Sequence, residues 1–425
     1  MNNRTMISDA IVQERPAFAT RLLLLAGLAP ILMMADPTDK ALGLTSTQQF
    51  IPTFLSLFAG VAYLVKGVRW KGGLIWQDLS LTIIIFMIFL GGVGTAVATG
   101  SRPESFLNLS VACLAFFPFR ILSSQPAQLR WFLGRFGGWL VAICVFMSVL
   151  LIFWQIHGPF FEQRSGIDHI YHEEIFILAC GAIYVSVTMR QRPVLRFVLI
   201  LLFFAGELSS FKNTGFLVAA LTLAILLATP AHWVSQNHRQ VLLTRTIGVL
   251  YLIIVAALFW LLLPYFEGSL PQGSPNVRLY TYDLRWHQFL NNPVFGLMFS
   301  GTPRLQVPLT NLYIPSHSDL LDLLAYGGAI GALAFLLPVL SFLFSLSKIR
   351  FLTTERHEAI LGYTLLASVL IVWSFNPIWL QPKMGVVVWM ALGIQSGLHS
   401  RLKRRQTSLV SKAVTPPLGL HRPLA

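Results

Sequence analysis

Long apolar stretches almost free of charge dominate this sequence of 425 residues. A helix that spans a membrane needs about 20 mostly apolar residues, and stretches of this kind occur at 79–98, 139–156, 247–266 and 331–346, among others. Only 11% of the residues are charged, whereas about a quarter are charged in ordinary globular domains. The sequence therefore predicts an all-α polytopic membrane protein.

The basic residues are distributed unevenly between the segments that join the apolar stretches. With both termini in the cytoplasm, most of the 31 Lys and Arg residues fall on the cytoplasmic side, as the positive-inside rule requires. The net charge of +14 is thus explained by membrane orientation and anionic lipid rather than by nucleic-acid binding. About twelve spans are predicted, beginning near residues 19, 47, 79, 105, 136, 174, 195, 214, 246, 319, 358 and 384.

The predicted topology divides the chain into three parts. Residues 1–18 form a short cytoplasmic lead, residues 19–399 form the transmembrane domain, and residues 400–425 form a basic cytoplasmic tail that is expected to be disordered. Two external loops are long, at 157–173 and 267–318. The second is too long for a simple connector, so we expect it to contain helices of its own and to carry function.

Two arginines in the second loop are predicted to share one face of a helix. Arg278 and Arg285 are seven residues apart, a spacing that differs by only about 20° in helical projection, and Tyr282 falls on the same face. The Asn-Asn-Pro run at 291–293 is expected to end this helix. Two guanidinium groups on one face can bind the oxygens of a diphosphate bidentately. A surface amphipathic helix with solvated arginines remains the alternative.

A histidine lies where the next apolar helix is predicted to begin. Ser316 followed by Asp319 resembles a capping box, which makes His317 the first predicted residue of the helix. The helix N-terminus favours bound anions and a neutral imidazole, which can accept a proton. A capping or interfacial histidine without a catalytic role is the alternative.

Helical geometry separates the glycines of this helix from its aspartates. Gly328 and Gly331 are predicted to lie on the stripe of His317 and to pack closely against a neighbouring helix. Asp319 and Asp322 point away from that stripe, so we expect them to cap the helix or to face water.

Further polar candidates lie in the first external loop and after residue 206. Arg164 is a candidate third phosphate contact. His169 and His172 have a spacing compatible with metal binding, but no completing ligand set accompanies them, so no metal is predicted. Lys212 is a candidate substrate contact, because charge at this depth is often functional. An ion pair of Lys212 with Glu207 is the alternative.

The arrangement around His317 resembles the signature of a known family. His317-Ser318, nine residues and then Gly328-Ala329-Ile330-Gly331 resemble the H-[N/S/Q]-x9-G-x-x-G pattern of the bacterial O-antigen ligase and polymerase superfamily. The layout of about twelve spans with a long late periplasmic loop is similar as well. The segment before the histidine resembles that family's in Arg278, Arg285, Trp286, Asn292, Pro293 and Gly296. Lys212 stands where many members have an arginine.

The resemblance implies a glycosyltransferase of the lipid-linked-sugar (GT-C-like) type in the bacterial inner membrane, with its active site on the periplasmic face. Such enzymes transfer a glycan from undecaprenyl diphosphate to an acceptor sugar and are held to need no metal or other cofactor. The expected partners are the lipid-linked oligosaccharide or polysaccharide, the bilayer and other polysaccharide assembly and export proteins. The implied catalytic residues are His317, Arg285 and Arg278, and the implied substrate-binding residues are Arg164, Lys212, Tyr282 and Ser318.

Three functions are compatible with these features. We expect a polysaccharide polymerase that adds glycan to a growing lipid-linked chain. An O-antigen ligase would use the same donor with lipid A core as the acceptor. A lipid-linked oligosaccharide flippase or transporter, which is not an enzyme, would place its charges on helices in the middle of the membrane.

Overall fold

The computed structural model describes residues 17–34, 50–68, 74–99, 111–157, 175–189, 191–209, 213–228, 246, 274–301, 304–306, 313–315, 318–348, 362, 364, 366 and 382–414. The elements in chain order are α1 (Phe18–Met34), α2 (Ile51–Val65), α3 (Trp76–Thr99), α4 (Phe116–Leu122), α5 (Pro126–His157), α6 (Phe176–Thr188), α7 (Pro193–Ser209), α8 (Asn213–Ala228), α9 (Ser274–Asn291), β1 (Arg304–Gln306), β2 (Tyr313–Pro315), α10 (Asp319–Lys348) and α11 (Pro382–Val414).

Three of these helices are long and apolar enough to cross a membrane. Their apolar windows are Trp76–Ala98, Pro126–Phe153 and Asp319–Phe342, and several shorter apolar helices accompany them. The expectation of a helical protein with membrane-spanning segments is thus confirmed in its coarse form. The total of twelve spans stays a prediction.

The segment predicted to be the late external loop contains secondary structure of its own, as expected. Helix α9 ends at Asn291, at the Asn-Asn-Pro run that was predicted to end it. The short strands β1 and β2 pair antiparallel, with Leu305 opposite Ile314. They add a small two-stranded sheet before α10 to a fold that is otherwise helical, as predicted.

Helix α11 occupies the centre of the described helices. Every residue from 384 to 398 is buried, as expected for a helix that is apolar on all sides. A Cβ at Gly393 would lie 2.6 Å from the carbonyl oxygen of Phe116 in α4, so the two backbones meet closely. The ring of Trp389 makes edge contacts with Phe116 and with Phe335 of α10. Helix α11 thus joins α4 to α10.

A buried ion pair connects α3, α4 and α11. The Nε and Nη2 atoms of Arg120 each donate to a carboxylate oxygen of Asp78, at 3.1 Å, and both side chains are inaccessible to solvent. The hydroxyl of Ser396 donates to the same carboxylate. The bidentate geometry and the added hydroxyl compensate for removing two charges from water.

Helices α3 and α10 lie side by side in opposite directions. Gln77 near the start of α3 donates to Ser341 late in α10, at 3.0 Å, and Ser80 donates to the carbonyl of Ala334, at 2.9 Å. Further along α3, Ile84 contacts Gly331. The end of α3 therefore lies on the same side of the membrane as the start of α10.

The basic segment at the C-terminus differs from its prediction. Helix α11 continues to Val414, so residues 400–414, expected to be part of a disordered tail, are helical. The physical reason is composition, because Leu, Lys, Arg and Gln are good helix formers and no Gly or Pro interrupts the run before Pro416.

Candidate functional site

Arg285 is the centre of a buried polar cluster between α9 and α10. Its Nε lies 2.7 Å from Oδ1 of Asp322, and its side chain is completely inaccessible to solvent. Its Nη1 donates to the side-chain oxygen of Gln288, at 2.8 Å. The guanidinium carbon lies 4.5 Å from the centre of the Tyr326 ring, in a cation–π contact. One arginine thus joins α9 to the first two turns of α10.

Burial of this face of α9 explains why Arg285 has these partners. Thr281 and Arg285 are one helical turn apart and both are fully buried. A buried charge is strongly unfavourable unless it is paired and hydrogen-bonded, and Asp322 supplies the opposite charge.

Asp319 and Asp322 do not face water, because both are buried. They lie away from the predicted glycine stripe, but α9 covers the face of α10 that carries Asp322. Helical projection gave the direction of the side chains and could not show that another helix packs there.

The contacts between α9 and α10 show that the two helices run in the same direction. Arg285 pairs with Asp322, and beyond the end of α9 the carbonyls of Pro293 and Val294 accept hydrogen bonds from Ala329 and Ile330. The two segments therefore run parallel. The start of α9, which carries Arg278, lies toward the chain that precedes α10.

Helix α10 is interrupted at Gly328, where φ is 60° and ψ is −165°. Residues 292–301, which follow α9, are called the tip here. The tip supplies backbone hydrogen bonds in place of those that the interruption removes from α10. The amides of Leu297 and Phe299 in the tip donate to the carbonyls of Ala325 and Tyr326, at 2.9 and 3.1 Å. In the other direction, two amides of α10 that follow Gly328 donate to tip carbonyls, at 2.8 and 3.1 Å. The predicted continuous stripe from His317 to Gly331 is therefore wrong, because helical periodicity does not continue through Gly328.

Glycines allow the tip to approach α10 and α3. A Cβ at Gly296 would lie 2.5 Å from the amide nitrogen of Gly328, and one at Gly328 would overlap the tip backbone in return. A Cβ at Gly91 of α3 would lie 2.6 Å from the carbonyl of Phe299. The hydroxyl of Thr95 accepts from the Gly301 amide, at 2.7 Å. The predicted close packing of Gly331 is present, against Ile84 and Phe299.

The first turn of α10 corrects the predicted cap. The helix begins at Asp319, and the hydroxyl of Ser318 accepts from the Leu321 amide, at 3.3 Å. Ser318 is therefore the N-cap, in place of Ser316, and the helix starts two residues later than predicted. Ser318, a substrate-binding candidate, is buried in this structural role.

The remaining candidates are placed only in part. Tyr282 lies on α9 and is partly buried, and the backbone of Arg278 lies on the same helix. His317, Arg164 and Lys212 lie outside the described residues, as does the histidine pair of the first loop.

Sequence reasoning missed three residues of the cluster, namely Gln288, Asp322 and Tyr326 as partners of Arg285. A signal for Asp322 existed, since a carboxylate inside an apolar helix requires a partner.

Within the described part of the chain, no group of three or more His, Cys, Asp or Glu could hold a metal ion. Comparison with protein-family profiles and with curated protein sequences finds no match.

Proposed function

We propose that this protein is a membrane glycosyltransferase, and specifically a polysaccharide polymerase that uses a glycan on undecaprenyl diphosphate. One observation carries the proposal, namely the docking of the arginine-bearing helix α9 along the start of α10 through the Arg285–Asp322 ion pair. This contact joins the basic part of the late loop to the helix that follows His317. It favours a site formed by both segments over a solvated surface helix.

Arg278 is proposed to bind the diphosphate. It precedes Arg285 by two helical turns, about 10 Å along the axis, in the direction of the chain that precedes α10. Arg164 and Lys212 are proposed as further contacts to the donor, and Tyr282, on the arginine helix, as a contact to the sugar or the diphosphate.

His317 is proposed to accept the proton of the acceptor hydroxyl. The hydroxyl oxygen attacks the anomeric carbon, a new carbon–oxygen bond forms, and the bond from that carbon to the diphosphate breaks. The electron pair leaves with the lipid diphosphate, where the arginines stabilise the negative charge. Water then takes the proton from the imidazole. A single displacement of this kind inverts the anomeric configuration.

Arg285 acts in this proposal as a positioning residue. Its guanidinium is fully buried and has Asp322, Gln288 and Tyr326 around it. It therefore contributes by fixing α9 on α10 rather than by touching the donor. This revises the catalytic role that the resemblance implied.

The function is tested with purified protein in liposomes that contain an undecaprenyl-diphosphate-linked repeat unit as both donor and acceptor. We expect a ladder of lipid-linked products of increasing length, and the same ladder in the presence of EDTA. The products are measured by gel electrophoresis and mass spectrometry.

The alternatives give different outcomes in the same system. Transfer that occurs only after addition of lipid A core would identify a ligase and exclude the polymerase. Movement of the donor across the bilayer without a new glycosidic bond would identify a transporter and contradict both enzymatic functions.

A further inference from the structure

The tip lies well inside the membrane-spanning part of α10. Gly328, which contacts Gly296 of the tip, is nine residues after the start of the apolar window at Asp319. At the rise of an α-helix, nine residues correspond to about 14 Å. The hydrocarbon core of a bilayer is about 30 Å thick, so this contact lies nearly halfway across it.

Helix α3 gives an independent measure of the same depth. The tip contacts Gly91 and Thr95 of α3, and the apolar window of α3 ends at Ala98. Gly91 precedes that end by seven residues, about 10 Å. Helix α3 ends on the side where α10 begins, so both distances are measured from the same membrane surface. The depth of about 14 Å from α10 and that of about 10 Å from α3 agree to within about one helical turn.

The backbone of the tip satisfies the requirement for non-helical chain inside a bilayer. Irregular backbone is tolerated at membrane depth only where protein covers it and satisfies its hydrogen bonds. Four backbone hydrogen bonds join the tip to α10 around Gly328. The interruption of α10 and the irregular tip thus satisfy each other's polar groups.

The exposed surface of α9 and the tip changes from charged to apolar along the chain. Asp283 and His287, near the level of the α10 start, are exposed, and Nδ1 of His287 lies 3.3 Å from Oδ1 of Asp283. Two uncharged amides, Asn291 and Asn292, are exposed at the end of α9. Tyr280 is exposed near the start of α9, and the other exposed apolar side chains lie from the last turns of α9 onward, namely Trp286, Leu290, Val294, Phe295 and Met298.

We propose that α9 and the tip form a re-entrant element, and that Val294, Phe295 and Met298 contact the acyl chains of the leaflet nearer the start of α10. The element enters the bilayer beside α10, reaches the level of Gly328, and returns toward β1. This proposal is independent of the enzymatic function, and it moves residues 292–301 from the external loop into the membrane. Helix α3, which the tip contacts, exposes two apolar rings of its own, Phe86 and Phe89.

Spin labels on single introduced cysteines test this depth in liposomes. Phe295→Cys and Met298→Cys report on the tip, Phe86→Cys marks the middle of the apolar window of α3, and Asp283→Cys marks the charged part of α9. The native Cys113, Cys144 and Cys180 are buried, and the unmodified chain serves as the labelling blank. The measured quantity is the accessibility of each label to oxygen, which concentrates in hydrocarbon, relative to a water-soluble nickel chelate.

We expect labels at 295 and 298 to favour oxygen over nickel, as at Phe86, and the label at 283 to favour nickel. Nickel accessibility at both tip positions equal to that at 283 would overturn the proposal and place the tip in water or in an aqueous cavity. Labels immobilised and inaccessible to both reagents at the two positions would also overturn it, since another protein segment would then cover this face. Two tip positions are used so that a folding defect in one variant leaves the other informative.

Discussion

Alanine in place of Gly328 is expected to lower the free energy of unfolding by more than about 3 kcal/mol. The backbone at Gly328 has φ of 60° and ψ of −165°, a conformation that is almost restricted to glycine. A Cβ there would also overlap the tip at Val294 and Gly296. The variant must therefore either strain the backbone or expel the tip from α10.

The matched control is Gly94→Ala on α3. An added Cβ at Gly94 meets no atom within 4 Å, and alanine favours a helix more than glycine does. The thermal midpoint of the purified protein in detergent is the measurement. A midpoint for Gly328→Ala as high as that of Gly94→Ala would show that the tip does not occupy the interruption of α10.

Removing either charge of the Arg285–Asp322 pair is expected to cost about 3–5 kcal/mol, because the remaining charge stays buried without its partner. Arg285→Met and Asp322→Leu are the single variants. Their combination removes both charges and fills similar space with apolar groups, a change that is often neutral or stabilising for a buried pair. We therefore expect the double variant to recover most of the lost stability.

Recovery of function distinguishes positioning from direct contact with the donor. If Arg285 acts only by holding α9 on α10, the double variant also recovers glycan transfer. A double variant with native stability and no transfer would instead assign Arg285 a direct role at the diphosphate. Asp283→Asn is the surface control, since Asp283 is exposed and its replacement should change stability by less than about 0.5 kcal/mol.

Local sequence patterns predicted the helix α9 of the site, but they did not predict which residue of another helix its arginine contacts. The spacing of Arg278 and Arg285 and the Asn-Asn-Pro run predicted a helix and its end, and α9 has both. The partner of Arg285 could not be predicted in the same way, because Asp322 lies in a different helix far along the chain. Only the general cost of a buried charge indicated that each residue needed a partner.

The interruption of α10 was hidden by its apolar composition. Helical periodicity continues through Gly327 and Gly328 in the sequence, and a Gly-Gly pair in an apolar run is also compatible with close helix packing. The interruption depends on backbone hydrogen bonds between α10 and the tip segment 293–299, which belongs to a different part of the chain. Local propensity contains no information about such a partner, so the sequence predicted a continuous helix.

The most direct test of the central claim is glycan transfer by Arg278→Gln and His317→Gln variants whose thermal midpoints match the unmodified protein. Arg130→Gln is the matched control, because Arg130 is an exposed arginine on α5. We expect each site variant to lose transfer by about 100-fold or more, while the control retains it. Unmodified transfer rates in both site variants would contradict a transfer site between α9 and the start of α10.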